Sequence, residues 1–598
     1  MIMDVRELPS IVDMFFTQVE SKGERPFLWD KVNDKYTPIT WREAAATVTS
    51  LARGLRALGV KNGERVVIVS ENRSEWGLAE LAIIAAGGIA VPAYTTNTVD
   101  DHLHIVEDSE ALGMIVSTAK LAERALSAAH LSEGTKFAIT MEQVDIKQSL
   151  DVEVMTWDDA IKNGENEHLN VIEEIKNIKR TDTACIIYTS GTGGTPKGVM
   201  LSHGALLHNC NGAQFVLNDV GLDDNVFLSF LPLSHSYEHM GGLHFPISIG
   251  AEIYYAEGIE ALGKNMGEAH PTIMTAVPRL YESMHARIMR GIEQQGGLKE
   301  KLFRKTIELG TKLYHDPNSL SLGERALNAL LDKLVRSKVK ARFGGRLKAL
   351  ISGGAPLNPE IGIFFHALGV TILQGYGQTE SAPLISANLP VKIKMHTVGP
   401  TVPDTEVRIA EDGEILVRGE LLMNGYWQNE KATNKTIIDG WLHTGDIGVI
   451  DEDGYIQITD RKKDIIVNSG GDNIAPQRIE GLLTLEPEIE QAMVYGDKRP
   501  HLVGLIVPDS VWLNEWRDAN APGKELPDLV DDANLRKKIS AAIDRVNSDL
   551  SNIEKVRKFI IAESAFTIEN EQMTPTLKVR RHKIKEIYGE RLEGLYNK

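Results

Sequence analysis

From about residue 40 to residue 460, short apolar runs alternate with stretches of helical periodicity. Residues 65–70 (RVVIVS) form a strand-like run, 76–86 carry helix-like spacing, and 89–92 (IAVP) return to a strand pattern. Runs at 184–188, 348–352 and 370–373 repeat the strand signal. This alternation predicts an α/β body with largely parallel sheets, because parallel strands need crossover helices that cover the sheet faces. Around 413–419 and 454–459 the pattern changes to short strands and turns, which predicts a β-rich subdomain. Beyond the charged segment 460–464 (DRKKD), runs at 491–495 and 502–507 predict a smaller α+β region, and the acidic, proline-bearing stretch 518–532 predicts a loop or an insertion. The expected fold class is therefore α/β, with a large N-terminal domain over 1–460 and a small α+β C-terminal domain over 461–598.

A chain of 598 residues with 42% hydrophobic and 25% charged residues is long enough for several cores and has a globular composition. Its two cysteines, Cys185 and Cys210, exclude a disulfide framework and a thiolate zinc cluster and fit a reducing, cytoplasmic compartment. The opening MIMDVRELPS has no long apolar core, so a secretory signal is not expected, and no run of about 18 apolar residues occurs. The net charge of −18 argues against general nucleic-acid binding. Residues 287–348 depart from it, with 15 Lys/Arg against 6 Asp/Glu, or +9. Within them Leu327, Leu330, Leu331, Leu334 and Val335 are spaced to line one helix face, with Lys333, Arg336, Lys338 and Lys340 on others. Such a segment is either a solvated helix packed on the body or a peripheral contact with an anionic membrane, at the inner face of the cell membrane.

Candidate chemistry begins at 188–203, YTSGTGGTPKGVMLSH. Gly191, Gly193 and Gly194 permit close backbone approach, Thr189, Ser190 and Thr192 supply hydroxyls, and Lys197 supplies a compact charge, which together suit a triphosphate. A Walker loop is excluded. Counting from Gly191, Pro196 replaces the second glycine and has no N–H, while Gly198 replaces the Ser/Thr that would meet magnesium. In 374–380 (QGYGQTE), Tyr376 can stack on a flat base, Thr379 can bond a phosphate and Glu380 can hold a hard cation, although the segment alone reads equally as a plain loop after a strand. A second glycine-rich turn, 352–357 (SGGAPL), also ends a strand. Asp446, placed after a Thr444-Gly445 turn, suits a ribose diol, and the fork of Arg461 suits the same sugar or a phosphate.

Together these segments resemble the signatures of the acyl- and adenylate-forming superfamily, and 439–463 resembles that of fatty acyl-CoA synthetases in particular. Two departures stand out. Gly193 occupies the usual place of a threonine, and Ile450 with Asp451-Glu452-Asp453 replaces the more usual Trp and Pro. The resemblance implies an ATP/AMP site at Thr189, Ser190, Gly191, Thr192, Gly193, Gly194, Lys197, Gly353, Gly354, Ala355, Gln374, Gly375, Tyr376, Gly377, Thr379, Asp446, Arg461 and Lys578, with Mg²⁺ on Glu380. In 231–239 (LPLSHSYEH), His235 and Tyr237 would line an acyl pocket together with Gly353 and Gly377, although His235 reads also as a satisfied core histidine. Residues 276–282 (AVPRLYE) resemble a stretch of long-chain members and read as a helix start. Lys578, in 573–581 (MTPTLKVRR), matches the catalytic lysine, with Thr192, Glu380 and Lys463 as further catalytic positions. Lys463 matches a hinge about which the C-terminal domain moves, and Ser469, Gly470 and Gly471 would serve the coenzyme A step.

The implied reaction joins a long-chain fatty acid to ATP, releasing pyrophosphate, and then passes the acyl group from AMP to coenzyme A. A related ligase for another acid or for a carrier protein, a luciferase-like oxidation, and a catalytically silent acyl- or nucleotide-binding protein remain open, as does a homodimer.

Overall fold

The computed structural model describes residues 2–145, 151–189, 195–574 and 578–597. Two eight-stranded sheets form the body. One runs in the order Gly425–Tyr426, Lys197–Ser202, Thr183–Thr189, Ile89–Ala93, Arg65–Val69, Ala111–Val116, Phe137–Thr140, Glu153–Thr156. From Thr183–Thr189 onward its pairs are parallel. The other runs Ser386–Ala387, Ile372–Tyr376, Ala349–Ser352, Ile273–Ala276, Val226–Ser229, Glu252–Tyr255, Pro26–Val32, Lys35–Thr40, parallel except at its two edges. The helix Ser74–Ala85 is buried along nearly its whole length, which explains an apolar surface without a polar stripe. It belongs to a core that joins Val66 and Ile68 of one sheet to Leu28 and Ile253 of the other. The alternation in the sequence is thus realised as parallel sheets around shared buried helices. Cys185 and Cys210 are both free and buried.

An antiparallel sheet of Thr405–Ile409, Glu414–Gly419, Trp441–Ile450, Ile437–Ile438 and Ile456–Arg461 forms the β-rich part. The acidic turn after Ile450 is tied down, because Lys394 pairs with Asp451 and Asp453 and Lys392 with Asp453. Further on, Ile489–Tyr495, Leu502–Pro508 and Val556–Ile561 form a three-stranded sheet flanked by helices that include Pro476–Leu483, Ala533–Ser548 and Arg581–Gly594. Its two apolar clusters draw only on residues from 466 onward, for example Ile479, Leu502 and Ile539 in one and Val503, Phe566 and Ile584 in the other.

Three expectations need correction. The stretch 518–532 is a loop only in part: the helix Ser510–Asn520 runs into it, capped by the Asp509 carboxylate and held by buried Leu513 and Trp516, and Leu526–Leu529 is a short helix closing on buried Leu529. The strand expected at 370–373 starts at Ile372 and continues through Tyr376, so the first half of QGYGQTE is strand. The leucines of 327–335 do not share one face. Leu331 is buried and Leu327 and Val335 pack beside it, but Leu330 and Leu334 are 50% and 41% exposed. Leu330 and Leu331 are adjacent and cannot point the same way, and the wider π turn Asp332–Arg336 brings Val335 rather than Leu334 back inward. No helix among the described residues is long and apolar enough to cross a membrane.

Candidate active site

Thr183–Thr189 and Lys197–Ser202 pair antiparallel, with Thr189 opposite Lys197. The chain therefore leaves the loop as a strand, whereas a Walker loop feeds a helix whose N-terminus meets the phosphates. Topology agrees with the missing glycine and hydroxyl. Ser190, Gly191, Thr192, Gly193 and Gly194 lie outside the described residues. At the loop's base Thr189 and Lys197 line a cavity of about 1980 Å³, well above the size of an ordinary small-molecule pocket. The Lys197 ammonium stands 4.0 Å from the ring centre of Tyr426, whose hydroxyl donates to Glu380 Oε1 at 2.8 Å. Burial and the Glu380 charge push that phenol's pKa up. Glu380 sits in the short turn Thr379–Ser381, where Thr379 Oγ1 meets Ser236 Oγ at 3.0 Å.

Asp446 follows no free turn: Thr444 and Gly445 lie within the strand Trp441–Ile450. A register shift opposite Glu414–Gly419 and a φ of +71° at Gly445 mark a bulge, a conformation that glycine adopts without strain. Glu414 Oε1 accepts the Gly445 N–H at 2.8 Å. Asp446 is 3% exposed; its Oδ2 accepts from the Tyr376 hydroxyl at 2.7 Å and its Oδ1 from Arg461 Nε at 3.0 Å. The expected pair of vacant acceptors is thus already a clamp, although each carboxylate oxygen keeps a further lone pair. Burial and Asp446 raise the Tyr376 pKa.

The glycines let this wall pack directly on its neighbours. A Cβ at Gly377 would lie 1.5 Å from Pro383 O, one at Gly353 2.9 Å from the Tyr237 ring, and one at Gly375 3.3 Å from Ser386 O, while Gly354 takes a φ of +83°. Gly354 and Ala355 line the same cavity. Two buried atoms on it, Gln374 Oε1 and Gln378 Nε2, have no hydrogen-bond partner among the described residues. Buried polar atoms left this way are costly unless a ligand or water meets them.

Lys578 lines the cavity between these groups and the acyl motif. Burial and the charge of Arg461 bring its ammonium down to about 8, against the opposing pull of Asp446 and Glu380. Burial, together with the Lys578 charge, holds the His235 ring neutral, with a pKa of about 3. His235 is both satisfied and on the cavity: its Nδ1 accepts the Tyr237 N–H at 3.1 Å. Lys463 is exposed on the cavity rim. Ser469, Gly470 and Gly471 are not brought to the cavity; they form an exposed turn in which Asn468 Oδ1 accepts the N–H groups of Gly470 and Asp472 at 2.8 and 2.9 Å. Three contacts bridge the two sides of the cleft. Arg279 donates to Glu490 O at 2.7 Å and pairs with its carboxylate at 3.1 Å, Arg290 pairs with Asp509 at 2.9 Å, and Asn358 donates to Gly481 O at 3.1 Å.

The cavity also has an apolar branch lined by Val216, Leu217, Phe227, Met240, Phe245 and Ile273, all members of one packed cluster. A Cβ at Gly241, on the same branch, would lie 2.6 Å from Thr275 Cγ2. Sequence reasoning missed this branch, because its residues come from separate elements with no common motif. It also missed Tyr426, Gln378 and Arg279. A tyrosine two residues after Asn424 carries no signal until the fold sets it on Glu380.

Solved structures define the class of fold. The adenylation domain of a carboxylate reductase from Mycobacterium chelonae matches with a TM-score of 0.77 at 22% identity, covering 100% of this chain and 92% of that one. A benzoate CoA ligase from Burkholderia xenovorans matches at 0.68 and 20%, over 96% and 100%. The chain therefore shares the fold of these enzymes. The family model described as AMP-binding enzyme matches residues 15–427, and that of the AMP-binding enzyme C-terminal domain matches 463–598. This chain belongs to the AMP-binding enzyme family. It is 34% identical over 601 residues to the long-chain-fatty-acid–CoA ligase FadD15 of Mycobacterium bovis, across 99% of this chain and 98% of that protein. To long chain acyl-CoA synthetase 3 of Arabidopsis thaliana it is 28% identical, across 99% and 92%.

Proposed function

We propose that this enzyme activates a long-chain fatty acid to its coenzyme A thioester. The fatty carboxylate oxygen attacks the α-phosphorus of ATP in line, the bond to the β-phosphate oxygen breaks, and pyrophosphate leaves. The thiol of coenzyme A then attacks the acyl carbon of the adenylate, losing its proton as AMP departs. The observation that carries this reading is one cavity lined by these polar groups, by an apolar set and by Lys578, which stands within electrostatic reach of Arg461, Asp446, Glu380 and His235. An ammonium there bridges two anions whose mutual repulsion peaks in the transition state.

In this reading Asp446 and Arg461 orient the ribose, the wall at Gly353, Gly354, Ala355, Gly375 and Gly377 receives the adenine beside Tyr376, and Gln374 and Gln378 supply buried polar atoms. Thr189, Lys197 and residues 190–194 would hold the phosphates, and Thr379 the α-phosphate. Glu380, held on one oxygen by Tyr426, is an oxygen donor suited to Mg²⁺, which would neutralise charge on the leaving pyrophosphate. The division into 1–460 and 461–598 belongs to the same proposal: rotation about Lys463 withdraws Lys578 and brings Ser469, Gly470 and Gly471 to the cleft for coenzyme A. The fatty acid is met in a cytoplasmic setting that includes an anionic membrane surface, on the strength of the charge of 287–348.

Pyrophosphate release tests the reading. ATP with palmitate should give release that further rises on adding coenzyme A, with octanoate weaker and benzoate weaker still. Release with benzoate but not with any fatty acid would overturn the substrate class, and release with no acid would overturn the reaction.

A further inference from the structure

The helical segment Leu322–Leu331, Asp332–Arg336 and Ser337–Arg342 buries one side against the helix Gly297–His315, through Leu331, Leu327 and Val335 on Leu309 and Leu313. Its outer side mixes apolar and charged groups. Leu322, Leu330 and Leu334 are 85%, 50% and 41% exposed, and with exposed Ala326 they recur every four residues, so they form one stripe. Lys333, Lys338, Lys340 and Arg342 are exposed on the same segment and join no ion pair among the described residues. Leu298, 72% exposed, opens the neighbouring helix beside exposed Lys299 and Lys301.

The acids of this region are largely engaged. Glu293 and Glu300 bind Arg304, Glu308 binds Lys305, Glu324 binds Lys312, and Asp332 faces Arg336 at 4.0 Å. A solitary exposed leucine needs no explanation, but an i+4 row of them among unpaired cations is not the surface of a solvated helix, where Glu–Lys pairs would serve. We propose that this face docks on an anionic lipid surface, its leucines entering the interfacial layer while Lys333, Lys338, Lys340 and Arg342 meet the headgroup phosphates. This is the snorkelling arrangement of an amphipathic helix lying in an interface. Outside 287–348 the chain carries −27, yet screening confines attraction and repulsion to about 8–10 Å, so the near face decides the encounter. The purpose of docking rests on the fatty-acid reading above, since such a substrate dissolves in that surface; the docking itself does not.

Vesicle co-sedimentation of the full chain tests this directly, comparing phosphatidylcholine alone with the same lipid containing about 30 mol % phosphatidylglycerol. Binding should appear only with the anionic lipid and fall with salt. Combining Lys333→Glu, Lys338→Glu and Arg342→Glu should weaken it at least about 100-fold, and combining Leu322→Ser with Leu330→Ser about 10-fold. Both variants should keep the wild-type melting temperature and the wild-type rate of pyrophosphate release with a soluble medium-chain acid. Wild-type protein that ignores the anionic lipid, or a charge-reversed variant that binds as well as wild type, overturns the proposal. So does a dimer in sedimentation velocity that the leucine substitutions dissolve, because the face would then belong to a second copy of the chain. Failure of pyrophosphate release with fatty acids, by contrast, would sink the catalytic reading while leaving the vesicle result standing.

Discussion

At the polar end of the cavity Asp446, Tyr376 and Arg461 meet through two directed contacts of 2.7 and 3.0 Å, whereas the branch between Val216, Phe227, Met240 and Ile273 offers only apolar surface. Recognition at the first end depends on a few donors and acceptors at fixed angles, each of which leaves an unpaired buried partner when removed. At the second it depends on summed contact area, worth about 1–3 kcal/mol per methylene. One end should therefore respond to single substitutions by orders of magnitude and the other by graded shifts in preference.

The sharpest way to break this contrast is Lys578→Ala. Pyrophosphate release should fall by about 10³-fold or more, while attack of coenzyme A on preformed acyl-AMP is spared. Equal loss in the two half-reactions would remove Lys578 from the adenylation step and with it the proposed rotation. Asp446→Ala leaves the Tyr376 hydroxyl and the Arg461 guanidinium without their partner, and kcat/KM for ATP should drop about 10²-fold with the fatty-acid KM little changed. A comparable change in both substrates would mean that the two ends are not separable.

In the apolar branch, Met240→Trp should shorten the space available, lowering kcat/KM for palmitate about 10-fold or more relative to octanoate. An unchanged ratio would place the acyl chain elsewhere. The pH dependence follows from the ammonium whose pKa lies near 8 in the free protein. Because the protonated form is the one that bridges two anions, kcat/KM should fall about tenfold per pH unit above about 8, and Lys578→Arg should move that limb upward. The smallest effect is expected from Arg279→Ala, which removes the contacts to Glu490 that hold this orientation of the two sides. Partly exposed pairs contribute about 1 kcal/mol or less, so adenylation should slow only about threefold. The thioester step should not slow with it; if it does, Arg279 acts as a general stabiliser and not on the orientation.

Much of the polar end was legible because its chemistry is written in contiguous stretches. Thr189 and Lys197 lie eight residues apart and come together as register partners, and QGYGQTE delivers Tyr376, Thr379 and Glu380 from one strand and its turn. Even there the sequence misjudged geometry. The Thr444-Gly445 segment is a bulge inside a strand, visible only when Glu414–Gly419 is laid beside it, and the Asp446 oxygens are shared with residues 70 positions back and 15 ahead. The leucines of 327–335 failed as one face because a π turn resets helical phase, which local spacing cannot report.

By itself, then, the sequence determined the α/β alternation, the exclusion of a Walker loop through Pro196 and Gly198, and the residue types offered to a nucleotide, since each follows from neighbours along the chain. Only the tertiary structure decided that Tyr426 reaches Glu380, that Ser469–Gly471 stand outside the cleft while Lys578 stands inside it, and that an apolar branch exists at all. Those features join residues tens to hundreds of positions apart, and contact between such residues is a property of packing, not of local pattern.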